Sequence, residues 1–387
     1  MQKVRLGIIG VGNMGSSHCR SIIAGKTPEI ELAAIADISA AKRDWAKKTL
    51  PESVAIFDDA EKMMQSGRVD AVLIATPHYL HPPLAIMGLR HGLHVICEKP
   101  AGVYTKQVRE MNEAAAKSDK IFAIMFNQRT NCVFRKMKEL VSSGELGEIK
   151  RTNWIITNWY RSQSYYDSGD WRATWAGEGG GVLLNQCPHN LDLWQWICGM
   201  PNKVQAVCHE GKWHHIEVED DVTAYVEYPN GATGVFVTTT ADTPGTNRFE
   251  IMLDGGKLVC ENDKLMLYKN KIPERQFNAT YKGGFGEPGF DTIEVQTDGQ
   301  NPQHVGVLNS FASAILHGTP LIADGSEGIN GLTISNAMHL SSWLGHAVEL
   351  PLDEDLFWQK LQEKIAHSKI KKSVGGATLD VSGTFNA

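Results

Sequence analysis

Three clusters of residues in this chain have the types and spacing to do chemistry. The first is Gly10-Val11-Gly12-Asn13-Met14-Gly15, which follows an apolar run and opens a helical pattern. That context turns a weak G-x-G-x-x-G into a dinucleotide fingerprint. Gly10 would make the tight turn, Gly12 would let backbone approach a pyrophosphate, and Gly15 would let helix and strand pack closely. The helix N–H groups would then receive the phosphates. Asp37 ends the next apolar run, where an acid that binds ribose hydroxyls is expected. Its charge opposes a 2′-phosphate, so NAD is expected over NADP, although Ser39, Lys42 and Arg43 stand close by. Gly10, Gly12, Asn13, Met14, Gly15, Asp37 and Ile38 are the expected contacts at this end of the cofactor.

The second cluster is Cys97-Glu98-Lys99-Pro100, at the end of another apolar run. Ligands of open α/β sheets bind beyond the carboxyl ends of strands, so Lys99 is placed to polarise a hydroxyl. The third runs from Gly179-Gly180-Gly181 to Trp194. Asn185, His189 and Asp192 fall at i, i+4 and i+7, which predicts one helical face. Histidine titrates in the range that suits a general base for alcohol oxidation. Upstream lie Tyr160-Arg161 and Trp171-Arg172. Aromatic faces and guanidinium donors suit the C–H surfaces and hydroxyls of a sugar. His78 and His81 are three apart and could pair on a metal, but no third ligand is evident, so no metal is expected. His214-His215 reads as a solvated turn.

The elements that must position these residues change character along the chain. Up to about residue 128, apolar runs (Val4–Ile9, Leu32–Ala36, Ala71–Ala75, His94–Cys97, Ile121–Phe126) alternate with helical patterns. This predicts a doubly wound parallel sheet, a Rossmann domain over 1–128 with a connecting helix to about 145. From 146 to 368 longer strand patterns separated by Pro-Asn-Gly and Asp-Gly-Gly turns predict an α+β domain with a large, mostly antiparallel, open-faced sheet. The stretch 369–387 reads as a tail.

Composition sets the outer limits. The 387 residues suit two domains, and a net charge of −6 with interspersed signs points away from a nucleic-acid partner. No apolar stretch is long enough for a bilayer, and the chain opens on a strand pattern without a signal-peptide profile. Seven scattered cysteines without a C-x-x-C pair read as reduced thiols, and a cytoplasmic location is expected.

Taken together, Gly10–Gly15, Ala75-Thr76-Pro77 with His81, Glu98-Lys99-Pro100 and Gly179-Gly180-Gly181…His189…Asp192 resemble the Gfo/Idh/MocA family of glucose-fructose oxidoreductase and inositol dehydrogenase. The resemblance covers nearly the whole chain. It implies hydride transfer between NAD(P) and a polyhydroxylated sugar or cyclitol, and a homodimer or homotetramer assembled through the C-terminal sheet. By the same resemblance Thr76, Pro77, His78 and His81 line the cofactor path, and Glu98 and Asn127 stand near it. Lys99 bonds the reacting oxygen and His189 is the acid/base. The family often has Asp where Asn185 stands and Gly where Cys187 stands. Asn185 is therefore expected to bond substrate, not to carry a proton.

The expected function is an NAD-dependent sugar, glycoside or cyclitol dehydrogenase. Two alternatives stand beside it. One is an NAD-recycling glycosidase that oxidises C3 transiently, with Tyr160 available as a second base. The other is a non-catalytic dinucleotide-binding regulator.

Overall fold

The computed structural model describes residues 3–369. The expected tail from 370 on lies outside the described residues. The chain divides into two compact units. One comprises the chain up to Thr130 together with Asn301–Leu332, and the other Asn131–Gln300 with the chain from Thr333 onward.

In the first unit, β1 (Val4–Ile9), β2 (Ile30–Ala36), β3 (Ala55–Phe57), β4 (Ala71–Ile74), β5 (His94–Cys97) and β6 (Phe122–Ile124) form one sheet in the order 3-2-1-4-5-6. All its pairings are parallel. That is the strand order of a dinucleotide-binding fold, with its switch point between β1 and β4. The crossover helices are α1 (Asn13–Ile23), α2 (Ala40–Thr49), α3 (Ala60–Gln65), α4 (His81–Arg90) and α5 (Thr105–Ala116). Strand β3 escaped the sequence reading because it is three residues long and only half-buried.

The boundary expected near 128–145 needs two corrections. Helix α6 (Cys132–Ser142) belongs to the second unit. Further on, residues 301–332 return to the first unit and interrupt the expected 146–368 domain. Apolar burial drives that return. Val307, Leu308, Phe311 and Ala312 join the core built by Leu6, Ile8, Ile96 and Ala123. Each fully buried aliphatic or aromatic side chain contributes about 1.5–3 kcal/mol.

In the second unit α6 is followed by β7 (Ile149–Ile156), then α7 (Gln163–Tyr166), α8 (Val182–Asn185) and α9 (Pro188–Cys198). After them come β8 (Lys203–Glu210), β9 (Glu219–Glu227), β10 (Thr233–Thr239), β11 (Asn247–Leu253), β12 (Gly256–Glu261), β13 (Lys264–Asn270), α10 (Glu274–Thr280) and β14 (Phe290–Glu294). Helix α11 (Gln303–His317) lies in the returning segment, α12 (Gly328–Leu344) continues from it, and β15 (Val348–Glu349) and α13 (Glu354–Ala366) follow. The nine strands order as 14-13-12-11-7-10-9-8-15 and are antiparallel except for β7 against β10.

Trp194 seats α9 on this sheet. Its ring stacks on Phe236, and its indole N–H donates to Thr152 Oγ1 at 3.0 Å. Gly234 makes the room, since a Cβ there would stand 2.5 Å from Thr152 Oγ1 and 3.0 Å from the Trp194 ring.

Candidate functional site

In the first unit the glycine loop has the geometry its spacing predicts. Gly10 has φ +86°, and a Cβ on it would stand 2.7 Å from the Ala75 carbonyl oxygen. A Cβ on Gly15 would stand 1.9 Å from the Gly10 carbonyl oxygen. Both glycines are thus required by the protein itself. A Cβ on Gly12 would meet nothing within 4 Å, so packing does not explain that glycine, whereas close approach of a phosphate would. Gly12 is also the N-cap of α1 and supplies no side-chain cap, leaving the first turn's N–H groups available to an anion. The Asp37 carboxylate accepts from Val11 N at 2.9 Å and Ser39 N at 2.8 Å, so it shapes the loop. Arg43 donates to the Asp37 and Ile38 carbonyls, and the Ile38 side chain is 88% exposed.

Beyond the carboxyl ends of β4 and β5 His81 is buried and ties two loops together. Nδ1 lies 2.7 Å from the Pro100 carbonyl oxygen and Nε2 2.8 Å from that of Thr76. Burial pushes its pKa down although both carbonyls oppose this. His78 is buried beside it, with ring centroids 5.9 Å apart. Among the described residues no group of three or more His, Cys, Asp or Glu is arranged to hold a metal. Thr76 Oγ1 is buried without a hydrogen-bond partner among the described residues, as is Asn127 Oδ1. Both are polar atoms that a nicotinamide or its ribose could satisfy. The Asn127 amide nitrogen donates to Gln303 at the start of α11.

Glu98 and Lys99 diverge. Lys99 is half-buried and precedes Pro100 through a cis bond. Glu98 turns inward, its Oε1 2.7 Å from His18 Nε2 on α1, with His304 5.6 Å from the His18 ring. Burial alone would raise its pKa. The bond and charge of His18, with His304 and Lys99 nearby, outweigh that and hold Glu98 at about 2. Burial lowers the His304 pKa to about 4.

The sign of these shifts predicts an acid-sensitive first unit. An unfolded histidine takes its proton near pH 6.5 but folded His304 refuses it until about pH 4, so its contribution is full above 6.5 and lost on the way down to 4. The contribution of Glu98 is full above about 4.5 and lost towards 2. A His304→Gln variant should lose less melting temperature between pH 6.5 and 4.5 than the parent, with the limb below pH 4 kept. Calorimetry showing parallel curves over that upper interval would refute the assignment.

In the second unit the expected single face of Asn185, His189 and Asp192 is broken. Asn185 ends α8 and His189 is the second residue of α9. Pro188 has no N–H to continue the first helix and disfavours helical geometry at Cys187, which sits at φ −91°, ψ 4°. Asp192 is buried and accepts from Gln195 Nε2 at 3.0 Å, so it faces the interior.

The polar cluster that does form centres on Tyr165, where the sequence points to Tyr160. Tyr160 is 51% exposed. Arg172 Nη1 donates to Tyr165 Oη at 2.8 Å, with its guanidinium 4.6 Å from the Tyr165 ring and 4.7 Å from the Trp171 ring. The Arg161 guanidinium lies 5.2 Å from the Tyr165 ring and 5.7 Å from the Trp159 ring. Tyr165 donates to Asn185 Oδ1 at 3.3 Å. His214 is not a solvated turn residue: its Nδ1 lies 2.9 Å from buried Asp220 and its Nε2 2.9 Å from the Arg161 carbonyl oxygen. The glycine triplet is largely structural. Gly179 has φ +84°, and a Cβ on Gly181 would strike the Glu219 carbonyl oxygen at 1.9 Å. Buried Glu219 accepts from Gly181 N and Leu183 N and lies 3.0 Å from His339 Nε2, fixing the start of α8.

Two family models match this chain. Residues 4–126 match the oxidoreductase family with an NAD-binding Rossmann fold, and residues 134–259 match the GFO/IDH/MocA C-terminal domain. The chain belongs to the Gfo/Idh/MocA family. Its cofactor is accordingly NAD, as the matched NAD-binding Rossmann family implies. Among relatives, the rhizopine catabolism protein MocA of Rhizobium meliloti is 29% identical over 51% of this chain, a match spanning 58% of that protein. Levoglucosan dehydrogenase of Pseudarthrobacter phenanthrenivorans is 25% identical over 84% of this chain and 94% of its own length. The WlbA dehydrogenase of Chromobacterium violaceum, solved with NADH and UDP-GlcNAcA, superposes with a TM-score of 0.78 at 26% identity over 91% of this chain and 97% of that one. Within this Gfo/Idh/MocA chain, none of the described helices is long and apolar enough to cross a membrane.

Proposed function

We propose that this protein is an NAD-dependent dehydrogenase acting on a ring hydroxyl of a sugar, glycoside or cyclitol. The observation that carries the reading is the Arg172–Tyr165–Asn185 cluster, a guanidinium, a phenol and an amide linked by hydrogen bonds between aromatic faces. That set recognises polyols, and it stands in a chain whose other unit holds NAD. Levoglucosan dehydrogenase and myo-inositol 2-dehydrogenase are named among its relatives.

Bound NAD supplies the hydride acceptor. The chain's own residues do the rest. Lys99, an ammonium at the end of β5, stabilises negative charge as it develops on the reacting oxygen. His189, at the start of α9, takes the hydroxyl proton. Arg172, Arg161, Trp171 and Asn185 hold the ring. Asp37 selects the unphosphorylated adenine ribose.

A panel of sugars, glycosides and cyclitols mixed with NAD should contain a substrate that drives NADH formation at 340 nm. No NADH with any member would refute the reading and favour a regulator. Aglycone release without NADH accumulation would replace it by the NAD-recycling glycosidase.

We also propose that a second copy covers the open sheet face. Ile155, Val207, Tyr225 and Met252 share that face by strand register and are exposed. A monomer in sedimentation at micromolar concentration would remove this point. The cysteines form no disulfide among the described residues, which suits a reducing compartment such as the cytoplasm.

A further inference from the structure

Glu178 immediately precedes the glycine triplet, and nothing in its sequence position marks it as functional. It is nevertheless a carboxylate with 2% exposure in the middle of the polar cluster. Its Oε2 accepts from Ala173 N at 2.6 Å, its Oε1 accepts from Asn185 Nδ2, and Arg172 Nη1 lies 3.9 Å away. Ala173 is held at φ +54°, a conformation few non-glycine residues adopt.

The directions of the hydrogen bonds that link Asn185, Tyr165 and Arg172 follow from this one group. A carboxylate only accepts, so the Asn185 amide must turn its NH2 towards Glu178. Asn185 Oδ1 then faces the opposite way, where it accepts from Tyr165 Oη at 3.3 Å and from Gln186 Nε2 at 3.2 Å. The Tyr165 proton is thereby committed to Asn185, and its oxygen lone pairs are left to accept from Arg172.

We infer that Glu178 and Asn185 form one carboxylate–amide unit, in which Glu178 is the positioning residue that orients Asn185, Tyr165 and Arg172 for substrate. The substrate half of this inference rests on the dehydrogenase reading above, whereas the pairing does not. Burial pushes the Glu178 pKa up, and nearby Glu219 adds to this. Arg172 and the N–H donors of Ala173 and Asn185 oppose it. Tyr166, also in range, feels the Glu178 charge in turn.

The unit can be inverted by a reciprocal exchange. In Glu178→Gln a single oxygen must serve two donors, Ala173 N–H and the Asn185 amide. In Asn185→Asp two carboxylates meet in a buried site. In the double variant Glu178→Gln/Asn185→Asp the glutamine oxygen accepts from Ala173, its NH2 donates to the new carboxylate, and that carboxylate accepts from Tyr165 and Gln186. Every donor again has an acceptor.

The test is the four-protein cycle, read as melting temperature without ligand and as steady-state kinetics on the sugar that the wild-type protein oxidises. Each single variant should melt lower and raise the sugar KM about tenfold, with a smaller change in kcat and an NADH Kd within twofold of the parent. The double variant should recover most of both losses. The pH dependence of KM should also shift in the single variants and return in the double.

A double variant whose losses are the sum of the singles overturns the pairing. Recovery of melting temperature while KM stays as high as in the singles overturns the positioning role. If the wild-type protein oxidises no sugar, the dehydrogenase reading and the substrate half fall together, and the melting cycle alone still decides the pairing.

Discussion

His189→Ala should lower kcat for sugar oxidation by about 10²–10⁴-fold, the range a positioned general base supplies, while the Kd for NADH should stay within a few-fold of the parent. The separation is expected because His189 lies in the second unit, on α9, whereas the glycine loop, Asp37 and the loops tied by His81 lie in the first. Removing an imidazole also removes the pH dependence it imposes, so the acid limb of kcat against pH should flatten in the variant. Lys99→Ala should lower kcat by a comparable factor, because it removes the ammonium proposed to stabilise the charge developing on the reacting oxygen. Stopped-flow single turnovers separate chemistry from product release in both variants. A His189→Ala enzyme with wild-type kcat and an unchanged pH profile would remove His189 from the proton transfer.

Local backbone demands made the first unit legible. Gly10 and Gly15 are dictated by neighbours within one strand–turn–helix, so their spacing carries the geometry directly. The helix over Asn13–Ile23 follows from the same pattern. Periodicity reports that Val307, Leu308 and Phe311 share an apolar face, but not which core that face joins, and α11 proved to return to the first unit. The i, i+4, i+7 spacing of Asn185, His189 and Asp192 puts them on one face only if the helix is unbroken. Pro188 was visible in the sequence, and its effect on Cys187 was the missed signal. Glu178, Tyr165 and the His214–Asp220 pair lay further out of reach. Their roles come from hydrogen bonds to Asn185, Arg172 and Arg161, and no single-sequence spacing rule encodes which distant donor meets which acceptor.

The glycine loop offers the sharpest contrast between folding and binding. Gly12→Val should leave the melting temperature within a few degrees of the parent and weaken NADH binding by roughly a hundredfold, the equivalent of losing close phosphate contact at a helix N-terminus. The structural ground is that a Cβ at Gly12 meets no protein atom within 4 Å, so at that atom the substitution meets no packing obstacle in the protein itself. Gly15→Val should behave in the opposite manner. Its Cβ would stand 1.9 Å from the Gly10 carbonyl oxygen and 3.4 Å from an Ile8 methyl, so α1 must move off β1 before the residue fits. Overpacking of a rigid core typically costs about 1–3 kcal/mol, and backbone atoms cannot yield as a flexible side chain can. Gly15→Val should therefore lower the melting temperature sharply or fail to yield soluble protein. Titration of intrinsic fluorescence with NADH and calorimetry on the two variants measure binding and folding separately. A Gly12→Val protein that binds NADH as tightly as the parent would place the pyrophosphate elsewhere than on this loop.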